Sequence, residues 1–261
     1  MINAFSKSRR MAWLGGAVLG LVAAAVAWLG LAEAGQGMGT RLLLAALAAF
    51  VGVNIAVYFA RMLATREYQS RLLLLYEQLD PRAFLEAVEP LQKARLNPST
   101  RSTLLVHIAN GWLWAGQPDR ALEILDGIQP PEKALETRGL VLGNQATCWL
   151  AQGNTDRAQY CMDQLRALTA DKACSKEFSL KARHTLAYLE LCMNLQRGKQ
   201  VDVRVLEKDF EASRSPLHKL DVQYRLALAA RKKGDETLYA SAREYVLQQG
   251  AKTVLPERLR P

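Results

Sequence analysis

Two long uncharged runs constrain this chain before anything else does. Met11 to Ala32 is 22 residues without a charge, and Leu42 to Ala60 is another 19. As helices each is about 30 Å long, the thickness of a bilayer's hydrocarbon core. A turn as short as Glu33 through Arg41 allows nothing but an antiparallel hairpin. Trp13 and Trp28 lie near the ends of the first run and Tyr58 near the end of the second. Amphipathic rings favour such interfacial positions. Asn54 is the one strongly polar side chain in the runs and is expected to face the partner helix, because an unsatisfied amide is costly in lipid. Gly16-Ala-Val-Leu-Gly20 matches the GxxxG pattern, which serves either close packing within the hairpin or a homodimer contact through Gly16 and Gly20.

Charge sets the expected orientation. Lys7, Arg9 and Arg10 precede the first run; Arg61, Arg66 and Arg71 follow the second; the turn carries Arg41 offset by Glu33. The positive-inside rule then predicts a multi-pass protein of the plasma (inner) membrane with both termini cytoplasmic. Ala32-Glu33-Ala34 also resembles a signal-peptidase site, although the apolar run exceeds the usual length of about 7–15 residues. Cleavage there would still leave the second run holding the C-terminal part inside.

From Arg61 onward the chain carries 30 basic and 24 acidic residues, enough chain for a sizeable core. A mildly basic surface beside a bilayer suits anionic headgroups or acidic partners. Its charges are dispersed, and basic runs with interleaved aromatics are missing, so no nucleic acid is expected. Cys148, Cys161, Cys174 and Cys192 fit neither a CxxC metal pattern nor a small disulfide framework. They are expected to be reduced, mostly buried thiols in the cytosol.

Beyond Arg66, apolar residues recur at steps of three and four, as in Leu122, Leu125 and Ile128. The punctuation falls at Gly116-Gln-Pro-Asp119, Pro130-Pro131, Gly153-Asn-Thr-Asp156, Ser215-Pro216 and Gly234-Asp-Glu236. This predicts five helical pairs, over about 66–95, 100–129, 132–169, 175–214 and 217–249. Pro118 and Pro216 suit first helical positions, and Thr155 or Asp156 and Ser215 suit N-caps. Pro90 should kink or end its helix early. With Pro256 and Pro261, residues 251–261 read as a flexible tail.

Two of the pairs align. Leu105, Ile108, Ala109, Trp112, Gly116, Ala121 and Leu125 recur at a period of 37 as Leu142, Gln145, Ala146, Trp149, Gly153, Ala158 and Met162. Gly198 and Gly234 continue the rhythm while the other positions fade. The pattern resembles the tetratricopeptide (TPR) repeat, whose period is about 34 residues. Asp80-Pro-x-x-Phe84-Leu and Pro90-Leu resemble the first repeat of membrane-anchored TPR-like proteins of Gram-positive anaerobic bacteria. The resemblance implies an α-solenoid with a concave groove. It places Trp112 and Trp149 on the repeat's aromatic core position, and Thr103, Val106, Asn110, Leu113 and Trp114 on the groove. In the next unit the groove positions are Leu140, Gly143, Thr147, Leu150 and Ala151. In TPR proteins that hold a C-terminal carboxylate, two Asn grip the peptide between basic residues. Asn110 and Asn144 match the two Asn, but Val106, Thr185 and Leu189 stand where the basic residues belong. Backbone hydrogen bonding to an extended ligand is what the resemblance leaves.

Signals for catalysis are weak. His107, His184 and His218 are isolated in sequence, and the chain carries no HExxH, GxSxG, P-loop or GxGxxG. Glu86 and Glu89, or Asp209 and Glu211, read as solvated helix faces. The expectation is an all-α chain: basic tail 1–10, two-helix transmembrane hairpin 11–60 (11–32 and 42–60), and a TPR-like α-solenoid of about five helical pairs over 61–250, before the tail. It should need no cofactor or metal, be no enzyme, and bind a protein partner through Thr103, Val106, Asn110, Leu113, Trp114, Asn144 and Thr147. The alternative is a structural subunit of a membrane complex whose hairpin makes the main contacts.

Overall fold

The computed structural model describes residues 6–33, 37–93 and 96–260. Among them are twelve helices and no strand: α1 (Ser6–Glu33), α2 (Met38–Tyr76), α3 (Pro81–Gln92), α4 (Pro98–Trp114), α5 (Pro118–Asp126), α6 (Leu135–Ala151), α7 (Thr155–Thr169), α8 (Lys176–Gln196), α9 (Val203–Ala212), α10 (Pro216–Lys233), α11 (Glu236–Gln249) and α12 (Leu255–Arg258). Ala34, and the side chains of Lys7, Arg9, Trp13, Ala32 and Glu33, lie outside what is described. The chain divides into two compact units, residues up to Ser70 with Pro90–Asn97, and Arg71–Glu89 with Pro98 onward.

In the first unit, α1 and α2 meet through small residues. A Cβ built on Gly16 would lie 3.0 Å from Ala56 Cβ, and one on Gly52 would lie 3.1 Å from Gly20 Cα. The pairs 16–56 and 20–52 run in opposite directions, so the contact is antiparallel. Of the two uses open to Gly16 and Gly20, close packing within the chain is seen here, with α2 lying against both. Asn54 is corrected. It is exposed and donates to Phe50 O at 2.8 Å, so its own helix satisfies an amide donor that the partner helix was expected to take. One described helix, α2, is long and apolar enough to cross a membrane; the described apolar stretch of α1, Leu14–Gly30, is shorter. Leu14, Leu21, Leu43, Phe50 and Tyr58 are all exposed.

The helix does not stop where its charges begin. Continuous hydrogen bonding carries α2 to Tyr76, through residues expected to open a separate domain. A left-handed turn at Leu79 (φ 54°) then starts α3. Leu79 precedes Gly116 by 37 residues and Gly116 precedes Gly153 by 37; the glycines have φ of 85° and 79°. A left-handed residue therefore recurs three times at this spacing, although the hydrogen bonds around Leu79 differ from those shared by the two glycine turns, and Leu79 is buried. Pro90 sits two residues from the end of α3.

In the second unit, α4 packs on α5, α6 on α7 and α10 on α11, while α4, α6, α8 and α10 follow one another side by side. α9 packs on α10. Aligned positions share burial: Ala109 with Ala146, Ala121 with Ala158, and Leu125 with Met162 are all enclosed. Trp112 and Trp149 are half-buried rather than fully core, since the Arg120 guanidinium covers one ring at 4.6 Å and Arg157 the other at 5.1 Å. These arginines are also 37 residues apart and extend the aligned set. Ser215 caps α10 and Pro216 opens it; α7 is capped by Asn154 rather than by Thr155 or Asp156. Cys148, Cys161 and Cys192 are free and buried. Burial pushes their thiols up to about 12, 11 and 11, which keeps them protonated and unreactive.

The flexible tail is corrected. Leu255 and Leu259 are buried, and α12 packs on α11, because two leucines four residues apart form an apolar face that outweighs the local signal of Pro256.

Candidate functional site

A cleft of about 380 Å³ opens between α6 and α8. Glycine shapes its floor. A Cβ on Gly139 would overlap the Phe178 ring, so this glycine lets α8 approach α6 closely. Four residues on, Gly143 leaves room for ordinary contact with Thr185 Cγ2 at 3.5 Å. Leu140, Leu165, Phe178 and Ala182 supply apolar walls, and Leu140 stays half exposed (51 %), the exposure an anchor for a ligand needs.

The polar groups are arranged alike. Asn144 donates to Leu140 O at 2.7 Å, Thr147 to Gly143 O at 2.9 Å, and Thr185 to Lys181 O at 3.1 Å. Each bond runs back one helical turn and uses a donor while leaving the oxygen lone pairs. At the rim, Lys181 pairs with Glu177 at 2.5 Å, and Glu136 accepts from Ser175 Oγ at 3.3 Å. The Lys181 ammonium holds the Glu177 carboxyl below its usual range and is itself raised. The cleft thus offers an apolar floor, hydrogen-bond acceptors and a net acidic rim.

Of the seven residues expected to form the groove, Asn144 and Thr147 line this cleft. Val106 and Leu113 do not: both are buried in a cluster with Ala121, Leu122, Leu125 and Val141. The assignment of these two is corrected, since α5 and α6 cover the face of α4 that carries them. Thr103 bonds back to Ser99 O at 3.1 Å. Asn110 donates to the Tyr76 hydroxyl at 3.2 Å, which lies 2.7 Å from His107 Nδ1. The hydroxyl thus links the Asn110 amide to the His107 ring. Burial lowers His107 to about 4, so the ring is neutral. The half-buried Trp114 accepts at its carbonyl from Val254 N at 3.0 Å. None of the α4 residues lines the cleft that Asn144 and Thr147 line.

The sequence reading passed over a polar core at α8–α10. Tyr188 donates to Asp221 Oδ2 at 2.6 Å, and Arg225 pairs with Asp221 at 3.2 Å, both charges being about nine-tenths buried. Beside them His218 meets Asp209 at 2.9 Å and packs against Tyr188 with ring centres 4.9 Å apart and planes tilted by 58°. Asp209 is therefore a partner rather than a solvated face, and His218 is not isolated in space. The i,i+4 spacing of Asp221 and Arg225 was the available signal. Among the described residues no cluster of three His, Cys, Asp or Glu could hold a metal. No family model matches the chain, and neither does any curated protein or solved structure.

Proposed function

We propose that the chain is a membrane-tethered bacterial interaction module, its α1–α2 pair a transmembrane hairpin and its later helices a TPR-like solenoid. A peptide or partner helix lies in the α6–α8 cleft. The observation that carries this reading is the half-exposed Leu140 beside the acceptor oxygens of Asn144, Thr147 and Thr185 in one cleft. Both termini face the cytoplasm, as Arg10 before the hairpin and Arg61, Arg66 and Arg71 after it favour. A C-terminal alkaline phosphatase fusion is accordingly expected to be inactive in cells, and an active fusion refutes the orientation.

The binding reading is tested in the full chain with a photo-crosslinking residue in place of Leu140, and separately of Tyr160, which is exposed on α7. A discrete adduct is expected from position 140, absent from position 160, and lost when Thr185→Trp fills the cleft. Equal adducts from both positions, or one indifferent to Thr185→Trp, count against it. One observation favours a second reading, a structural subunit held by its hairpin. An apolar groove of about 700 Å³ runs along α1 and α2 between Leu19, Val26, Leu47, Val51 and Ile55. An adduct from a crosslinker at Val51 with none from 140 decides for it.

A further inference from the structure

The C-terminal segment closes on residues far behind it in the chain. Lys252 Nζ lies 2.7 Å from Asp80 Oδ2, across 172 residues. Val254 N donates to Trp114 O at 3.0 Å, and its side chain covers the Gly116 turn, where an added Cβ would fall 2.8 Å from Val254 Cγ2. Leu255 and Leu259 bury beyond it. Asp80 also caps α3 by accepting from Ala83 N at 3.0 Å, so its carboxylate is held in place whether or not Lys252 is there. The surface therefore reads a turn that leads into a single helical turn: one carboxylate for a cation, one carbonyl for a backbone N–H, and a glycine turn that admits a β-branched side chain.

What holds the segment is modest. Its ion pair ends in an exposed lysine, its helix is a single turn, and one backbone hydrogen bond joins it to α4. A single turn has no stability of its own, and exposed pairs contribute little. Leu255 and Leu259, with the buried Thr253 and the Val254 side chain on the Gly116 turn, stand against the entropy of ordering about ten residues. We infer that residues 251–260 are a tethered ligand occupying, within the chain, a second docking surface at Asp80, Trp114 and Gly116, which a partner segment of the same Lys-x-Val-Leu-x-x-x-Leu chemistry takes by displacing it. This surface is separate from the α6–α8 cleft and does not rest on the reading of that cleft.

The test uses the full chain in detergent and a fluorescent peptide of residues 250–261. Leu255→Asp with Leu259→Asp releases the resident segment, and the peptide is expected to bind this variant at least tenfold more tightly than wild type, where the tether supplies the competitor at high effective concentration. Asp80→Asn added to that variant should weaken the peptide several-fold. Equal binding to wild type and variant, or none to a variant of wild-type helicity, overturns the proposal. Should the variant lose its helicity, hydrogen exchange on wild type decides. Amides of 253–259 are expected to exchange at least tenfold faster than those of α4 and α10, and equal protection overturns the inference.

Discussion

Replacing Arg225 by Ala is expected to cost about 3–5 kcal/mol, the loss typical of breaking a buried ion pair from one side. Asp221 would then keep a buried charge with the Tyr188 hydroxyl as its remaining donor. The guanidinium also lies over the Tyr224 ring at 5.1 Å, so packing is lost with the charge. The pair itself need not be strongly stabilising, because taking both charges out of water offsets most of their attraction. Asp221→Leu with Arg225→Leu should therefore recover part of what Arg225→Ala loses, the Tyr188 hydroxyl being left without its acceptor. Urea unfolding of the full chain in detergent, followed by circular dichroism, measures both. A loss below about 1 kcal/mol for the single variant would mean that solvent reaches Asp221 and the pair is not buried.

Acid should weaken the fold before most carboxylates titrate, and His107 is the reason. Unfolded, its imidazole takes a proton near 6.5; folded, burial delays this to about 4. Between these values unfolding takes up a proton that the native state refuses. Stability contributed by the neutral ring is thus full above pH 6.5, declines as pH falls, and levels off below about 4. The two values differ by enough to remove about 3 kcal/mol over that window. His107→Gln can still hydrogen-bond to Tyr76 and cannot be charged, so its stability should be flatter from pH 7 to 4. The difference between the two curves isolates His107 from the carboxylates. Parallel curves would show that the ring protonates freely in the folded chain.

Local chemistry in the sequence reaches the helix ends after Tyr76, because glycine, proline and capping side chains act on their own neighbours. Gly116, Gly153 and Gly234 all sit in left-handed turns, and Ser215 caps the helix that Pro216 opens. The start of the first pair was harder to read. The change from apolar to charged residues near Arg61 marks a change of surroundings, which the backbone of α2 ignores. Leu79 gives no local signal for a left-handed turn, and its side chain is buried there. Of the expected groove, Asn144 and Thr147 line the α6–α8 cleft, where their spacing on one helix puts them on one face. Sequence could not show the burial of Val106 and Leu113, which depends on how α5 and α6 pack, nor the bond from Asn110 to Tyr76, 34 residues away. The last ten residues were misread for the same cause, since their partners are Asp80 and Trp114.

That last contact has a consequence for synthesis. A ribosome delivers Asp80 and the α4–α5 turn long before Lys252 and Val254 exist. At typical elongation speeds of about 5–20 residues per second, the 172 intervening residues take on the order of 10–30 s. Neighbouring helix pairs can close during that interval from short-range contacts. The nascent chain therefore presents Asp80 and the Trp114 carbonyl uncovered until the segment holding Lys252 and Val254 has been made.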